Sequence, residues 1–170
     1  MNPESYPRVR RTTLACAIAA SVGSAVIAAS QVAAPAAMPT SVRAHVKEDR
    51  FDVVTSIRGL PLGVRDELQT LFGGQALDIA EPGAPFQVTD VMVNAKLPVR
   101  RLVAAGCSTD HCLVYYERGG FAHTWQLALF HWTPAATRLE GGGGIPGGLK
   151  TIDEVRNAVL SPTLSQNAPW

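Results

Sequence analysis

Residues 112–132, CLVYYERGGFAHTWQLALFHW, restrict the fold more than any other stretch, because two apolar runs flank the pair Gly119-Gly120. Both runs are rich in aromatic residues, which favour strands, and paired glycines supply the positive φ angles of a tight turn. The stretch therefore predicts an antiparallel hairpin. With a two-residue loop, three cross-strand pairs would form one mainly apolar face: Tyr116 with His123, Val114 with Trp125, and Cys112 with Leu127.

The opposite face of the predicted hairpin is half polar, because Glu117, Thr124 and Gln126 would alternate there with apolar side chains. Aromatic side chains beside polar groups are common on surfaces that contact a partner. We therefore predict a binding surface on this face of the hairpin. Its five residues are Tyr115, Thr124, Gln126, Phe130 and Trp132.

Short apolar runs separated by Pro and Gly continue on both sides of the hairpin, a pattern that is typical of an antiparallel meander. They predict further strands at 51–57, 76–79, 86–93, 99–105 and 137–140.

Two segments show helical spacing instead. In 61–72, apolar residues recur every three or four positions, and Gly73 can take the left-handed conformation that ends a helix. In 152–160, the apolar residues follow Thr151 and Glu154, which have the spacing of a capping box. The sequence thus predicts an α+β fold, an antiparallel sheet of five or six strands with both helices packed on one face.

The first 36 residues have the order of an export signal. Arg8, Arg10 and Arg11 precede an uncharged stretch from 14 to 34, and small residues offer cleavage near 30 or 36. An uncleaved membrane anchor is the alternative, because about 20 apolar residues can span a bilayer. Either interpretation places the remainder of the chain outside the cytoplasm, either periplasmic or secreted.

Residues 37–50 combine charge with few large apolar groups and are predicted to be a linker. Residues 51–161 are long enough for a single domain, and 162–170 lack apolar periodicity, which predicts a disordered tail. Without residues 1–36, the chain has 12 basic and 13 acidic residues. A nearly neutral chain lacks the charge that attracts nucleic acid, so we expect no nucleic-acid partner, and membrane contact only through an uncleaved signal.

The segment CSTDHC, residues 107–112, holds the two cysteines that remain when Cys16 leaves with the signal. Paired cysteines in an oxidising compartment form disulfides, so we predict a Cys107–Cys112 bridge that stabilises the start of the hairpin. A redox-active pair more typically has two intervening residues at the start of a helix, whereas four intervene here beside a predicted strand. A structural disulfide is therefore favoured over a reactive thiol or a metal site.

The histidines raise the question of a zinc site, which requires four ligands close together. In the predicted hairpin, His123 lies near the turn and far from His111, and His131 lies eight residues further along the strand, about 26 Å away. We therefore predict no metal ligands and no cofactor. Each histidine is interpreted as a packed or surface residue.

These features favour a small exported protein without catalytic activity, a binding or interaction module that has one disulfide and a protein or small-molecule partner. The alternative is a small extracytoplasmic enzyme. Its catalytic residues would be Cys112 with His111 in a thiol enzyme, or His123 with Tyr116 and Glu117 in a hydrolase.

Intact-mass spectrometry of the exported protein tests the signal and the disulfide together. We expect a mass that begins near residue 31 or 37, and no alkylated thiol until a reductant is added, because an oxidised pair has no thiolate. Labelling of a cysteine without reductant would contradict the disulfide, and an unprocessed mass would favour the membrane anchor.

Overall fold

The computed structural model describes residues 38–90 and 94–161. In chain order its elements are α1 (Thr40–Glu48), β1 (Asp52–Val54), α2 (Leu62–Phe72), β2 (Arg100–Cys107), β3 (His111–Arg118), β4 (Thr124–Trp132), β5 (Thr137–Gly144) and α3 (Ile152–Leu160), with a 3-10 turn at Ile57–Gly59. Neighbouring strands pair antiparallel in the order β1-β2-β3-β4-β5. The predicted α+β fold with an antiparallel meander is therefore confirmed, with five strands in the described part of the chain.

Both predicted helices form, and their ends follow from local chemistry. Gly73 ends α2 with a φ of 69°, a left-handed conformation that a residue without Cβ adopts easily. A complete capping box begins α3, because the Thr151 hydroxyl accepts from the Glu154 N–H and the Glu154 carboxylate accepts from the Thr151 N–H.

The two helices pack on opposite faces of the sheet, so the predicted packing on one face is wrong. Val64 and Leu68 of α2 are buried against the face that carries Phe130, which we call the α2 face. Val155 of α3 is buried against the other face with Tyr115, and α1 packs there as well, so we call it the α1/α3 face. The physical reason is that β3 carries buried apolar side chains on both faces of the sheet, and a helix must shield each set from water.

The hairpin between β3 and β4 has a longer loop than the two residues predicted. Its last pair is Arg118 with Thr124, so five residues separate the strands, and Tyr116 lies opposite Gln126 instead of His123. The register thus differs from the prediction by three residues. Because side chains alternate along a strand, an odd shift exchanges the two faces of one strand relative to its partner.

Close packing at Gly119 explains the longer loop. Its N–H donates to the Val99 carbonyl, and a Cβ at this position would lie 1.8 Å from the Gln87 carbonyl oxygen. Gly119 is therefore required where a second backbone passes against the end of β3. The turn itself uses Gly120, whose φ is 99°.

Two of the predicted strands do not form over the residues that the structure describes. Residues 76–79 form no strand, and next to them Ala80 makes a single parallel bridge to Arg101. Pro82 follows two residues later and has no N–H with which to extend a ladder. Residues 86–90 form no strand either, and the remainder of the predicted strand 86–93 lies outside the described residues.

The predicted linker over 37–50 contains α1. Val42 and Val46 of this helix are four residues apart, lie on one side of it and are buried in the core of the α1/α3 face. Arg156 of α3 then fixes the end of α1, because its guanidinium donates to the backbone carbonyls of Val46, Lys47 and Asp49 at 3.0, 3.0 and 2.8 Å. Two buried valines and three hydrogen bonds from Arg156 thus dock a mainly polar segment.

The predicted signal at 1–36 and the predicted tail at 162–170 lie outside the described residues. Among residues 38–90 and 94–161, no helix is both long enough and apolar enough to cross a membrane.

Replacing Gly106 by Ala tests how closely α3 approaches β2. A Cβ at Gly106 would lie 2.7 Å from Cγ1 of Ile152 in α3 and 3.3 Å from the Asp52 carbonyl oxygen. We expect a loss of about 1–3 kcal/mol in the free energy of unfolding, measured by urea denaturation, because α3 must shift. Gly141→Ala in β5 is the matched control, since no described atom lies within 4 Å of its Cβ position. Equal stability of the two variants would contradict this packing.

Candidate metal centre

The predicted disulfide is present and joins the end of β2 to the start of β3. Cys107 and Cys112 are direct cross-strand partners, with an S–S distance of 2.08 Å. Cys112 is completely buried on the α2 face. A bridged sulfur is no nucleophile, so the geometry does not favour a thiol enzyme that uses Cys112 with His111.

Three residues, 108–110, form the turn that the disulfide closes, and short hydrogen bonds fix their conformation. The Ser108 N–H donates to the His111 carbonyl at 2.7 Å, and the Ser108 hydroxyl accepts from the His111 N–H at 3.1 Å. The Asp110 carbonyl accepts from the Trp132 N–H at 2.8 Å, which ties the turn to β4. The backbone of Asp110 and His111 is therefore held from two directions.

Four side chains converge beside this turn on the α1/α3 face. His111 is 2% exposed, and its Nδ1 lies 2.8 Å from Oδ1 of Asp110. His45 of α1 stacks on the His111 ring at 5.0 Å between centroids, and its Nδ1 lies 3.2 Å from Oδ2 of Asp49. One potential ligand atom from each of the four lies within 4.8 Å of the others. We call His45, Asp49, Asp110 and His111 the ligand cluster.

The spacing of the ligand cluster fits a small divalent cation after modest closure. Metal bonds of about 2.0–2.2 Å to nitrogen and carboxylate oxygen place tetrahedral ligand atoms about 3.3–3.6 Å apart. The atoms here are at most 4.8 Å apart, so an ion would have to draw them together by about 1 Å.

The electrostatics of the ligand cluster suit a cation. Burial raises the pKa of the Asp110 carboxyl, but the hydrogen bond to His111 and the charge of that ring lower it. His45 and His131 act in the same direction, so the net pKa lies below the ordinary value. Asp110 is therefore ionised and available as a ligand at neutral pH.

His131 borders the cluster without belonging to it. It is the cross-strand partner of His111, and the two rings meet edge to face with centroids 5.4 Å apart. Its Nδ1 lies 3.4 Å from Nη1 of Arg138 on β5, which occupies that nitrogen as an acceptor. His131 thus forms one wall of the site, beside His111.

His123 lies at the far end of the α1/α3 face in a separate network. Its Nε2 is 2.8 Å from one oxygen of Glu117, and Arg101 donates to the other oxygen at 2.8 Å. The ring of Trp125 stacks on His123 at 4.4 Å between centroids. Tyr116 points to the α2 face, so the structure does not bring together the predicted hydrolase set of His123, Tyr116 and Glu117.

The predicted binding surface on the hairpin does not form a common exposed face. Tyr115 is fully buried on the α1/α3 face, where its hydroxyl donates to the Pro146 carbonyl and burial raises its pKa to about 12. Phe130 and Gln126 are buried on the α2 side of the sheet, and Thr124 and Trp132 are half-buried. The three-residue register difference and the cover by α2 are the physical reasons.

The sequence did not predict the ligand cluster, because the linker interpretation of 37–50 left His45 and Asp49 without a position beside the sheet. A local signal existed, since His45 and Asp49 are four residues apart, the spacing of neighbours on one helix face. No family model, curated protein or solved structure matches this chain, so the assignment of roles rests on the geometry described above.

Replacing Glu117 by Gln tests whether the far network is structural. Glu117 is nearly buried, with 12% of its side chain exposed, and it has Arg101 and His123 as partners. We expect a loss of about 1–3 kcal/mol in the free energy of unfolding, because charged hydrogen bonds are removed in a desolvated site. Asp52→Asn is the control, since its pair with Arg50 is exposed and is expected to contribute less than about 1 kcal/mol. Similar urea midpoints for both variants would contradict the structural role.

Proposed function

We propose that this protein is a small exported module that binds a divalent transition-metal ion and has no catalytic activity of its own. The observation that carries the proposal is the convergence of His45, Asp49, Asp110 and His111, whose ligand atoms lie within 4.8 Å of one another although they come from two distant segments. Disulfide formation is typical of oxidising compartments, and the Cys107–Cys112 bridge supports export to one.

The donor set indicates which metals bind. Two imidazoles favour Zn²⁺, Cu²⁺ or Ni²⁺ over Mg²⁺ and Ca²⁺, which prefer sites made entirely of oxygen. Two carboxylates make the site harder than an all-histidine site and supply negative charge equal to that of the ion. Zn²⁺ accepts a tetrahedral set of histidine and carboxylate ligands, so it is the probe of choice.

Binding is favoured over catalysis because the protein supplies four ligands. Catalytic zinc sites keep one position open for water or substrate, whereas sites with four protein ligands are closed. The deep position of His111 and the two rings that flank it, His45 and His131, also restrict access to that side of the ion.

Isothermal titration with Zn²⁺ tests the proposal directly. We expect one ion per chain, and at a free Zn²⁺ concentration of 100 times Kd a gain of about 2.7 kcal/mol in stability, seen as a rise in Tm. His111→Ala should weaken the affinity by at least about 100-fold, because it removes the buried ligand.

His123→Ala is the matched control for this titration, since it removes an imidazole from the same face but outside the ligand cluster. Its affinity should equal that of the original chain. An equal loss of affinity in both variants, or binding of several weak ions per chain, would show that Zn²⁺ binds surface histidines instead of the proposed site.

A further inference from the structure

We infer that the Cys107–Cys112 disulfide controls the metal affinity of the ligand cluster, so that its reduction weakens the hold on the ion. This inference rests on the proposed function and adds a mode of regulation to the same site. Two of the four ligands, Asp110 and His111, lie in the chain between the two cysteines, whereas His45 lies in α1 and Asp49 directly follows it. The bridge thus constrains one half of the ligand cluster.

The position of the bridge at the end of the strand ladder makes it important for the turn. Cys107 and Cys112 are the last cross-strand pair of β2 and β3, and the residues 108–111 between them close the turn. Beyond this pair the two hydrogen bonds between Ser108 and His111 hold the turn, and the end of a ladder opens more readily than its centre. Covalent closure prevents that opening and keeps His111 at the distance from α1 that the ion requires.

The freed thiols would not replace the lost order with new metal bonds. Cys112 is buried on the α2 face, whereas His111, its neighbour in β3, points to the α1/α3 face. Sulfur and imidazole therefore lie on opposite sides of the sheet. Reduction changes the position of the ligands without adding one, so the affinity falls.

The chemical step is ordinary thiol–disulfide exchange with an external dithiol. One thiolate of the dithiol attacks a sulfur of the bridge, the Cys107–Cys112 S–S bond breaks, and a mixed disulfide forms. The second thiol of the reductant then displaces the remaining cysteine sulfur. The reductant is released in its disulfide form. Both cysteine sulfurs become thiols by taking up the two protons that the dithiol lost.

Zn²⁺ titration of the oxidised chain and of the double variant Cys107→Ala/Cys112→Ala tests this control. We expect the double variant to bind about tenfold more weakly, a difference of about 1.4 kcal/mol in binding free energy. Leu68→Ala is the matched control, because it removes a fully buried side chain from α2 on the opposite face and leaves the turn intact. Its Zn²⁺ affinity should equal that of the original chain, although its stability is lower.

A second measurement uses the original chain reduced by a dithiol and titrated without oxygen, in case the double variant does not fold. The same titration of reduced His111→Ala gives the Zn²⁺ held by free thiols, which is subtracted. Weaker binding after reduction supports the inference. Equal Zn²⁺ affinity of the oxidised and reduced chains would overturn the inference on the disulfide and leave the proposed function intact. Absence of Zn²⁺ binding by the oxidised chain would overturn both.

Discussion

The pairing of β3 with β4 is the constraint on which most of the structure depends. Because side chains alternate along a strand, the position of Tyr116 opposite Gln126 assigns every residue of both strands to one face. Tyr115 then packs beneath α1 and α3, and Tyr116 packs beneath α2, so that both hydroxyl groups are removed from bulk water and both have a pKa near 12. The same pairing brings His111 beside His131, which creates one wall of the ligand cluster.

The two ends of the α1/α3 face stabilise a carboxylate with different partners. Each carries an ionisable group at the edge of an apolar core, where a charge without a partner would be costly. Glu117 has a permanent cation as partner in Arg101, together with His123, so its network is complete as built. The ion-pair partner of Asp110 among the described residues is instead a histidine, His111. A divalent ion would add a permanent positive charge beside Asp110, and this contrast supports the proposal of a metal site at that end of the face.

The ligand cluster also depends on how α1 is docked. Two buried valines attach the helix to the sheet, and Arg156 reaches from α3 to three carbonyls at its C-terminal end. The three carbonyls belong to Val46, Lys47 and Asp49, so Arg156 holds the stretch of backbone that carries His45 and Asp49. The disulfide-closed turn fixes the other two ligands. A metal ion bound between them would therefore link two parts of the fold that are each held in place independently.

Local chemistry in the sequence alone determined the two helices, the strand-rich centre and the disulfide. Gly73, the capping box at Thr151 and the spacing of apolar residues act over a few positions, and cysteine pairing follows from compartment and count. The sequence did not determine the faces of the hairpin, because Gly119 is needed for contact with the Gln87 backbone, which is distant in sequence. Nor did it reveal that residues 40–48 dock as a helix, since their few apolar side chains become decisive only against a formed sheet. The ligand cluster depends on the docking of that helix beside the turn between β2 and β3, and so only the tertiary structure could assemble it.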